Sequence, residues 1–249
     1  MRTFLKGFVA TAITLSMTFV WASFSANDDA DDSAYNLGWA LTNNGGTGFG
    51  NWYDISTGGG GRFIATASFQ VLDGSRSWGL FSGNGNYAIG RPLLTTLPAG
   101  QFTVLARHNV NNASGFTGVT IYDGSAEKLR FGMNPSNNNA VYFAYGSTTG
   151  SISMGSLDLR GRRLKYFLGW DNLGNFTLTV NHLDGTETGT ATGNWGSGVS
   201  VSAFGFNNFN SGGFQDFIFD NIQVIPEPAS LLALGAGLAG LMGLRRRKA

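Results

Sequence analysis

From about Tyr35 to Ile225 apolar residues recur at every second position in short runs, and each run ends in residues that turn a chain. In FTLTVNH, Phe176, Leu178 and Val180 fall on one side of an extended backbone while Thr177, Thr179 and Asn181 fall on the other. That two-residue period is the mark of a strand with one buried and one wet face. FTVLARH repeats it through Phe102, Val104 and Ala106, RFIATASF through Phe63, Ala65, Ala67 and Phe69, and VSVSA through Val199, Val201 and Ala203. SWGLF, GVTIY, LRFGM, AVYFAY, LKYFLGW and FQDFIFDNIQV are further strand candidates. Between them stand GGGG, LDG, GNGN, YDG, NPSNNN and DNLGN, whose Gly, Asn and Asp supply positive φ or local turn hydrogen bonds. WDNLGNFTLTVN reads as a hairpin, with one strand ending at Trp170 and the next starting at Phe176.

Composition agrees with strands and turns. Gly accounts for 38 of 249 residues and Phe for 20, whereas charged residues make up 12%. Each interior Gly costs a helix about 1 kcal/mol relative to Ala, so helices are excluded as the organising element. No helical period precedes the C-terminal tail, and no repeat of fixed length supports a β-helix. About ten to thirteen strands, in two antiparallel sheets packed face to face, give an all-β, antiparallel β-sandwich over 35–225. Phe63, Phe69, Phe102, Leu178 and Val201 are expected in its core, each contributing about 1.5–3 kcal/mol by burial.

The two ends carry different information. Arg2 and Lys6 precede an uncharged, mostly apolar run from Gly7 to Val20, followed by the small residues Ala22, Ser23, Ser25 and Ala26. Residues 1–26 therefore read as a secretory signal peptide, with cleavage after Ala22, Ser25 or Ala26. The translocon and signal peptidase are the partners this implies. The acidic stretch 27–34 is expected to be a flexible, solvated start to the mature chain. At the other end Pro226, Glu227 and Pro228 precede an uncharged segment, 229–244, and then Arg245, Arg246, Arg247 and Lys248. Sixteen helical residues rise about 24 Å against a hydrocarbon core of about 30 Å, a marginal transmembrane helix. The basic tail stays cytoplasmic and places the rest of the chain outside. The two prolines predict a stiff, extended hinge open to a processing enzyme.

Pro-Glu-Pro, an apolar Gly/Ala/Leu helix and a terminal Arg cluster, in that order over 226–249, resemble the PEP-CTERM sorting signal of bacterial surface proteins. The resemblance implies recognition by an exosortase, cleavage near Pro226, Glu227 and Pro228, transient anchoring in the inner membrane, and export to the cell surface or extracellular matrix. It also implies an association with exopolysaccharide and biofilm. The string of strands resembles, in pattern alone, the laminin-G-like or concanavalin-A-like jelly rolls. That second resemblance implies carbohydrate or matrix binding and, in some members, a structural calcium ion.

Between Asn27 and Ile225 ten Lys and Arg face fourteen Asp and Glu, and the basic residues are scattered apart from Arg160, Arg162, Arg163 and Lys165. A nucleic-acid partner, which needs a concentrated basic stripe, is excluded. The absence of cysteine excludes disulfides and thiolate metal sites. His108 and His182, each at the polar end of a strand, read as surface or turn residues. Glu127 and Glu187 sit in turns, and Asp216 and Asp220 share a strand face without the E-x-D-x-E pattern of some jelly-roll glycosidases. No catalytic residues and no cofactor are expected. Calcium is the one candidate ion, since loops with Asp54, Asp73, Asp123, Asp171 and Asp220 offer oxygen ligands. Trp39, Trp52, Trp78, Trp170 and Trp195 could be sugar platforms or core. The expected function is an exported surface or matrix protein displaying a sandwich for binding or structural purposes. A secreted polysaccharide-active enzyme and a passive scaffold are the alternatives.

Overall fold

The structure, a computed structural model, describes residues 25–83, 85–109, 115–134 and 136–227. The signal-peptide reading of 1–24, the apolar segment 229–244 and the basic tail lie outside the described residues. The described chain forms β1 (Ala26–Asp28), a 3-10 turn (Ser33–Tyr35), β2 (Tyr53–Gly58), β3 (Gly61–Ala65), β4 (Ser77–Gly83), β5 (Asn86–Leu97), β6 (Gly100–His108), β7 (Phe116–Asp123) and β8 (Ala126–Met133). It continues with β9 (Ala140–Tyr145), β10 (Thr148–Ser153), β11 (Arg163–Trp170), β12 (Asn175–His182), β13 (Thr188–Asn194), β14 (Val201–Phe209) and β15 (Gly212–Pro226). One sheet runs β13-β12-β11-β6-β15-β4-β3, with β1 added beside β15; the other runs β10-β9-β8-β7-β14-β5-β2. All their pairings are antiparallel, and the two sheets stack as a β-sandwich.

The alternation seen in the sequence becomes the inter-sheet core. Phe102, Val104 and Ala106 of β6, Phe176, Leu178 and Val180 of β12, and Leu164, Tyr166 and Leu168 of β11 point inward and are buried. From the other sheet Phe204 stacks on Phe102 with ring centroids 4.3 Å apart, and Phe206 on Phe219 at 4.0 Å. Offset aromatic contacts of this kind add about 0.5–1.5 kcal/mol beyond burial. The hairpin read at Trp170 is present, with Trp170 opposite Phe176 and Asp171 Oδ1 accepting from the Leu173 and Asn175 amides.

Two expectations fail. Phe69 is 68% exposed rather than core, because β3 ends at Ala65 and the Gln70 and Val71 amides turn back onto the Ala67 carbonyl. The chain there crosses the outside of the sheet, where Phe63, also expected in the core but only partly buried because Ile64 takes the inward position, packs with Leu72, Ala65, Leu105 and Ile218 in a small second cluster. The acidic stretch 27–34 is not a flexible leader either. Asn27 and Asp28 lie in β1, Ala30 is fully buried, and Asp32 caps the 3-10 turn by accepting from the Ala34 amide.

The cause is a buried network. Asp28 pairs with Arg91, both side chains fully buried, and accepts from the Tyr35 hydroxyl at 2.7 Å. Tyr35 in turn accepts from Trp52 Nε1 at 3.0 Å, and the Arg91 guanidinium reaches Asn44 and the Gly45 and Gly50 carbonyls while lying 4.7 Å from the Trp52 ring centroid. Burial pushes the Asp28 carboxyl up to about 6 against the opposing pull of Arg91. Removing one partner strands the other charge in the interior, which typically costs about 3–5 kcal/mol. Arg91→Met is therefore expected to lower the urea unfolding midpoint by that amount of stability, and Asp28→Asn, which leaves Arg91 its carbonyl partners, by less.

Candidate functional site

The ionisable groups weighed from sequence do not converge. His108 closes β6 but is fully buried, not at the surface: its ring nitrogens lie 2.8 Å from Thr117 Oγ1 and 2.7 Å from the Tyr166 hydroxyl, and it stacks on Phe217. Burial drives its pKa down to about 3, so it stays neutral. His182 closes β12, is buried, and holds Glu187 at 2.8 Å. Asp216 accepts from Gln70, and Asp220 from Ser77 and the Ala30 and Asn221 amides. Both acids are on the outer side of β15, four residues or about 13 Å apart along the backbone, and each is held by its own neighbours and not by the other.

The calcium candidates are likewise dispersed. Asp54 binds Arg62 and Tyr87, Asp73 binds Asn221, Asp123 faces Lys128 and Asp171 binds Asn175. Among the described residues no group of three or more His, Asp or Glu side chains stands close enough to share an ion. The tryptophans are core: Trp39, Trp52, Trp78 and Trp170 are buried, and Trp195 packs on Phe176 with centroids 5.3 Å apart. No indole face is left free as a sugar platform among the four buried ones.

The outer face of the seven-stranded sheet is different. Its middle strands present small residues outward, Ala88 and Gly90 on β5, Gly205 and Asn207 on β14, and Gly118 and Thr120 on β7, all of them buried. Aromatic side chains cover them. The Tyr53 ring lies over Gly90, its cross-strand partner, so closely that a Cβ there would sit 2.2 Å from the ring. Tyr122 and Ile55 cover Gly205, where a Cβ would meet them at 2.8 and 3.1 Å. Further along, Phe116 packs edge-on against Tyr142 at 6.3 Å, and the Arg130 guanidinium, paired with Glu127 at 2.6 Å, stands 5.5 Å from Phe116 and 5.7 Å from Phe209. Asn207 Nδ2 donates to Thr120 Oγ1 at 2.9 Å beneath this layer. Burial raises the Tyr53 and Tyr122 phenol pKa values, and the charges of Glu127 and Tyr53 add to the rise at Tyr122. Tyr53 is still 38% exposed, and beside Tyr142 a polar recess of about 280 Å³ is lined by Asn134, Ser136, Asn137, Thr149 and Ser151.

Sequence reasoning weighed tryptophan and missed these tyrosines. The signal that finds them is an aromatic placed opposite a glycine, which requires the strand register. A larger cleft, about 730 Å³, opens on the outside of the other sheet between the 3-10 turn region and strands β6, β11 and β15. Its lining includes the cations Arg163 and Lys165 and the acids Asp29, Asp32 and Asp73 and offers no stacking ring.

Among solved structures the fold is similar to the apo Crh5 transglycosylase, at 9% identity and a TM-score of 0.53 over 82% of this chain and 85% of that one. It is also similar to the Bacillus licheniformis beta-glucanase (14% identity, TM-score 0.48, 76% and 98% covered) and the T. cruzi calreticulin globular domain (13%, 0.48, 78% and 90%). No curated protein matches the sequence. Two stacked antiparallel sheets, with the likeness to the transglycosylase fold, define a β-sandwich of jelly-roll type. Residues 224–248 match the PEP-CTERM protein-sorting motif. The chain is thus an exported protein of the bacterial cell envelope addressed to an exosortase. Of the sorting residues, Pro226 ends β15 and Glu227 is exposed, while Pro228, Arg245, Arg246, Arg247 and Lys248 lie outside the described residues.

Asp220 gives the sandwich a measurable pH signature. Burial without a facing cation raises its carboxyl to about 7. The folded state then holds a proton that the unfolded chain releases near pH 4, so this contribution is complete below about pH 4 and is lost as pH rises through 7. His108 works oppositely, withholding a proton in the folded state and costing stability as pH falls from about 6.5. Asp220→Asn isolates the first effect: its gain in melting temperature over wild type is expected to be near zero at pH 4 and largest above pH 7, by differential scanning calorimetry.

Proposed function

We propose that the exported sandwich is a non-catalytic module that binds cell-surface or matrix polysaccharide on the outer face of its seven-stranded sheet. The observation that carries this reading is the aromatic layer of Tyr53, Tyr122, Phe116 and Tyr142 over a floor of small residues. A pyranose has one apolar face and a rim of hydroxyls. Partly exposed phenol rings meet the first, and Asn134, Ser151 and the Arg130–Glu127 pair are placed for the second. In affinity gel electrophoresis against exopolysaccharide purified from the host, wild-type sandwich is expected to be retarded. Tyr53→Ala and Tyr122→Ala should each weaken retention about tenfold, the equivalent of about 1.4 kcal/mol, in proteins whose melting temperature is lowered by the lost ring-over-glycine packing but which remain folded at the assay temperature by circular dichroism. Unretarded wild type leaves a scaffold role, retention indifferent to both changes moves binding off this face, and turnover of the glycan would reinstate the enzyme.

The same reading includes removal of a signal peptide, and the packing of β1 favours one of the three candidate cuts. Ala26 is fully buried, pairs with Val224, and packs with Ser25 against Gly48. A cut after Ser25 would place a charged amine on that buried residue, and a cut after Ala26 would remove it from β1. Cleavage after Ala22 spares the strand. Mass spectrometry of the mature protein is expected to find Ser23 at its N-terminus and no C-terminus earlier than Pro226, because β15 is paired through that residue.

A further inference from the structure

β1 and β15 lie side by side. Ala26 is opposite Val224 in an antiparallel register, so the chain before Ala26 and the chain after Val224 leave the sheet at the same pole, in the same direction. Pro226 ends β15 opposite Gly100, and the Glu227 amide donates to the Ala99 carbonyl at 3.4 Å. The uncharged segment begins at Ala229. Three Cα steps from Pro226 reach at most about 11 Å. The headgroup layer on one side of a bilayer takes up about 5–7 Å of that. No room is left for a flexible stalk, so a sandwich with its tail in the bilayer has this pole against the headgroups.

The exit pole is the more apolar of the two, although Leu183, 40% exposed, lies at the other. Leu94 is 70% exposed, Leu173 61% and Ile225 41%. Leu94 stands at the N-terminal exit, its amide donating to the Gly48 carbonyl beside Ser25. Leu173 tips the β11–β12 turn, next to a shallow recess of about 250 Å³ that contains Trp170, Gln101 and Glu227. The other ends of β11 and β12, about 25 Å away, carry the Arg163–Asp184 and His182–Glu187 pairs. At the exit pole the acids Asp171 and Glu227, with Asp123 and Glu127 of the β7–β8 turn, outnumber Lys128, which faces Asp123, and this acidic balance disfavours anionic lipid and suits a zwitterionic surface.

We propose that this pole is the membrane-facing surface of the uncut precursor, resting on zwitterionic headgroups with Leu94, Leu173 and Ile225 at the contact. The inference rests on the tail being anchored in the bilayer, and it is independent of any glycan. It also revises the idea of a free hinge: Pro226 is part of the sheet, so an exosortase meets its motif at the edge of a folded domain.

The chain has no cysteine, so single labels are unambiguous. Full-length Leu94→Cys, Leu173→Cys and Thr186→Cys proteins, the last at the opposite pole, would carry a bimane label in phosphatidylcholine–phosphatidylethanolamine vesicles containing a headgroup-linked nitroxide quencher. The two exit-pole labels are expected to lose most of their fluorescence while the label at position 186 keeps its own. Vesicle-bound protein with equal quenching at all three sites, or none at 94 and 173, overturns the proposal. Flotation of the same samples separates the causes, since protein that fails to float refutes the anchored tail on which the proposal rests.

Discussion

The last strand of the described chain is a central strand of the larger sheet, and the rest of the fold depends on that. β15 is bonded to β6 along one edge and to β4 and then β1 along the other. Without it β13, β12, β11 and β6 have no connection within their sheet to β4 and β3. The inward side of β15 provides Phe217, Phe219, Ile222 and Val224, all buried, and Phe219 stacks on Phe206 of the facing sheet. The contacts between residues 26 and 224 join nearly the two ends of the described chain, and such non-local contacts come late in folding. An exported polypeptide emerging N-terminus first can therefore complete this sandwich only when residues 212–226 have crossed, by which point the sorting motif is at the membrane.

Within the sheets, abundant glycine and abundant phenylalanine are two halves of one packing device. Phe63 faces Gly79, Phe81 faces Gly61, Tyr53 faces Gly90, Phe143 faces Gly150 and Phe176 faces Gly193 across paired strands. In each case the ring occupies the space a Cβ would fill, at 2.2–2.7 Å from its ideal position. An isolated glycine weakens a strand by leaving a gap; a ring laid across it restores the contact. The device operates on both faces, which explains how a sheet this rich in glycine keeps its outer surface covered.

Strands were legible because burial of one face forces a period of two, and the hairpin at Trp170 was legible because its turn residues are local. What escaped depends on distant partners. Asp28 reads as one more acid in a solvated leader until Arg91, sixty-three positions on, is placed beside it. His108 reads as a strand-end polar residue until Thr117 and Tyr166 fold around it. Phe69 continues the alternation by sequence, yet Ala65 ends the pairing and the chain turns away. The tyrosine face required register, since Tyr53 differs from any other strand tyrosine only through its position over Gly90.

The two surfaces fit together geometrically. β5 runs from Asn86 to Leu97, next to the exit pole, a length of about 40 Å at strand rise. With that pole on the bilayer, the strands of the seven-stranded sheet stand away from the membrane and their outer face is turned sideways. Tyr53, opposite Gly90, and Tyr122, opposite Ala203, then lie partway up this wall rather than beneath the domain. A polysaccharide chain outside the cell could reach them while the tail is still anchored. The order of polysaccharide capture and tail removal is consequently unconstrained by sterics, and a domain cut at the edge of β15 keeps the same face.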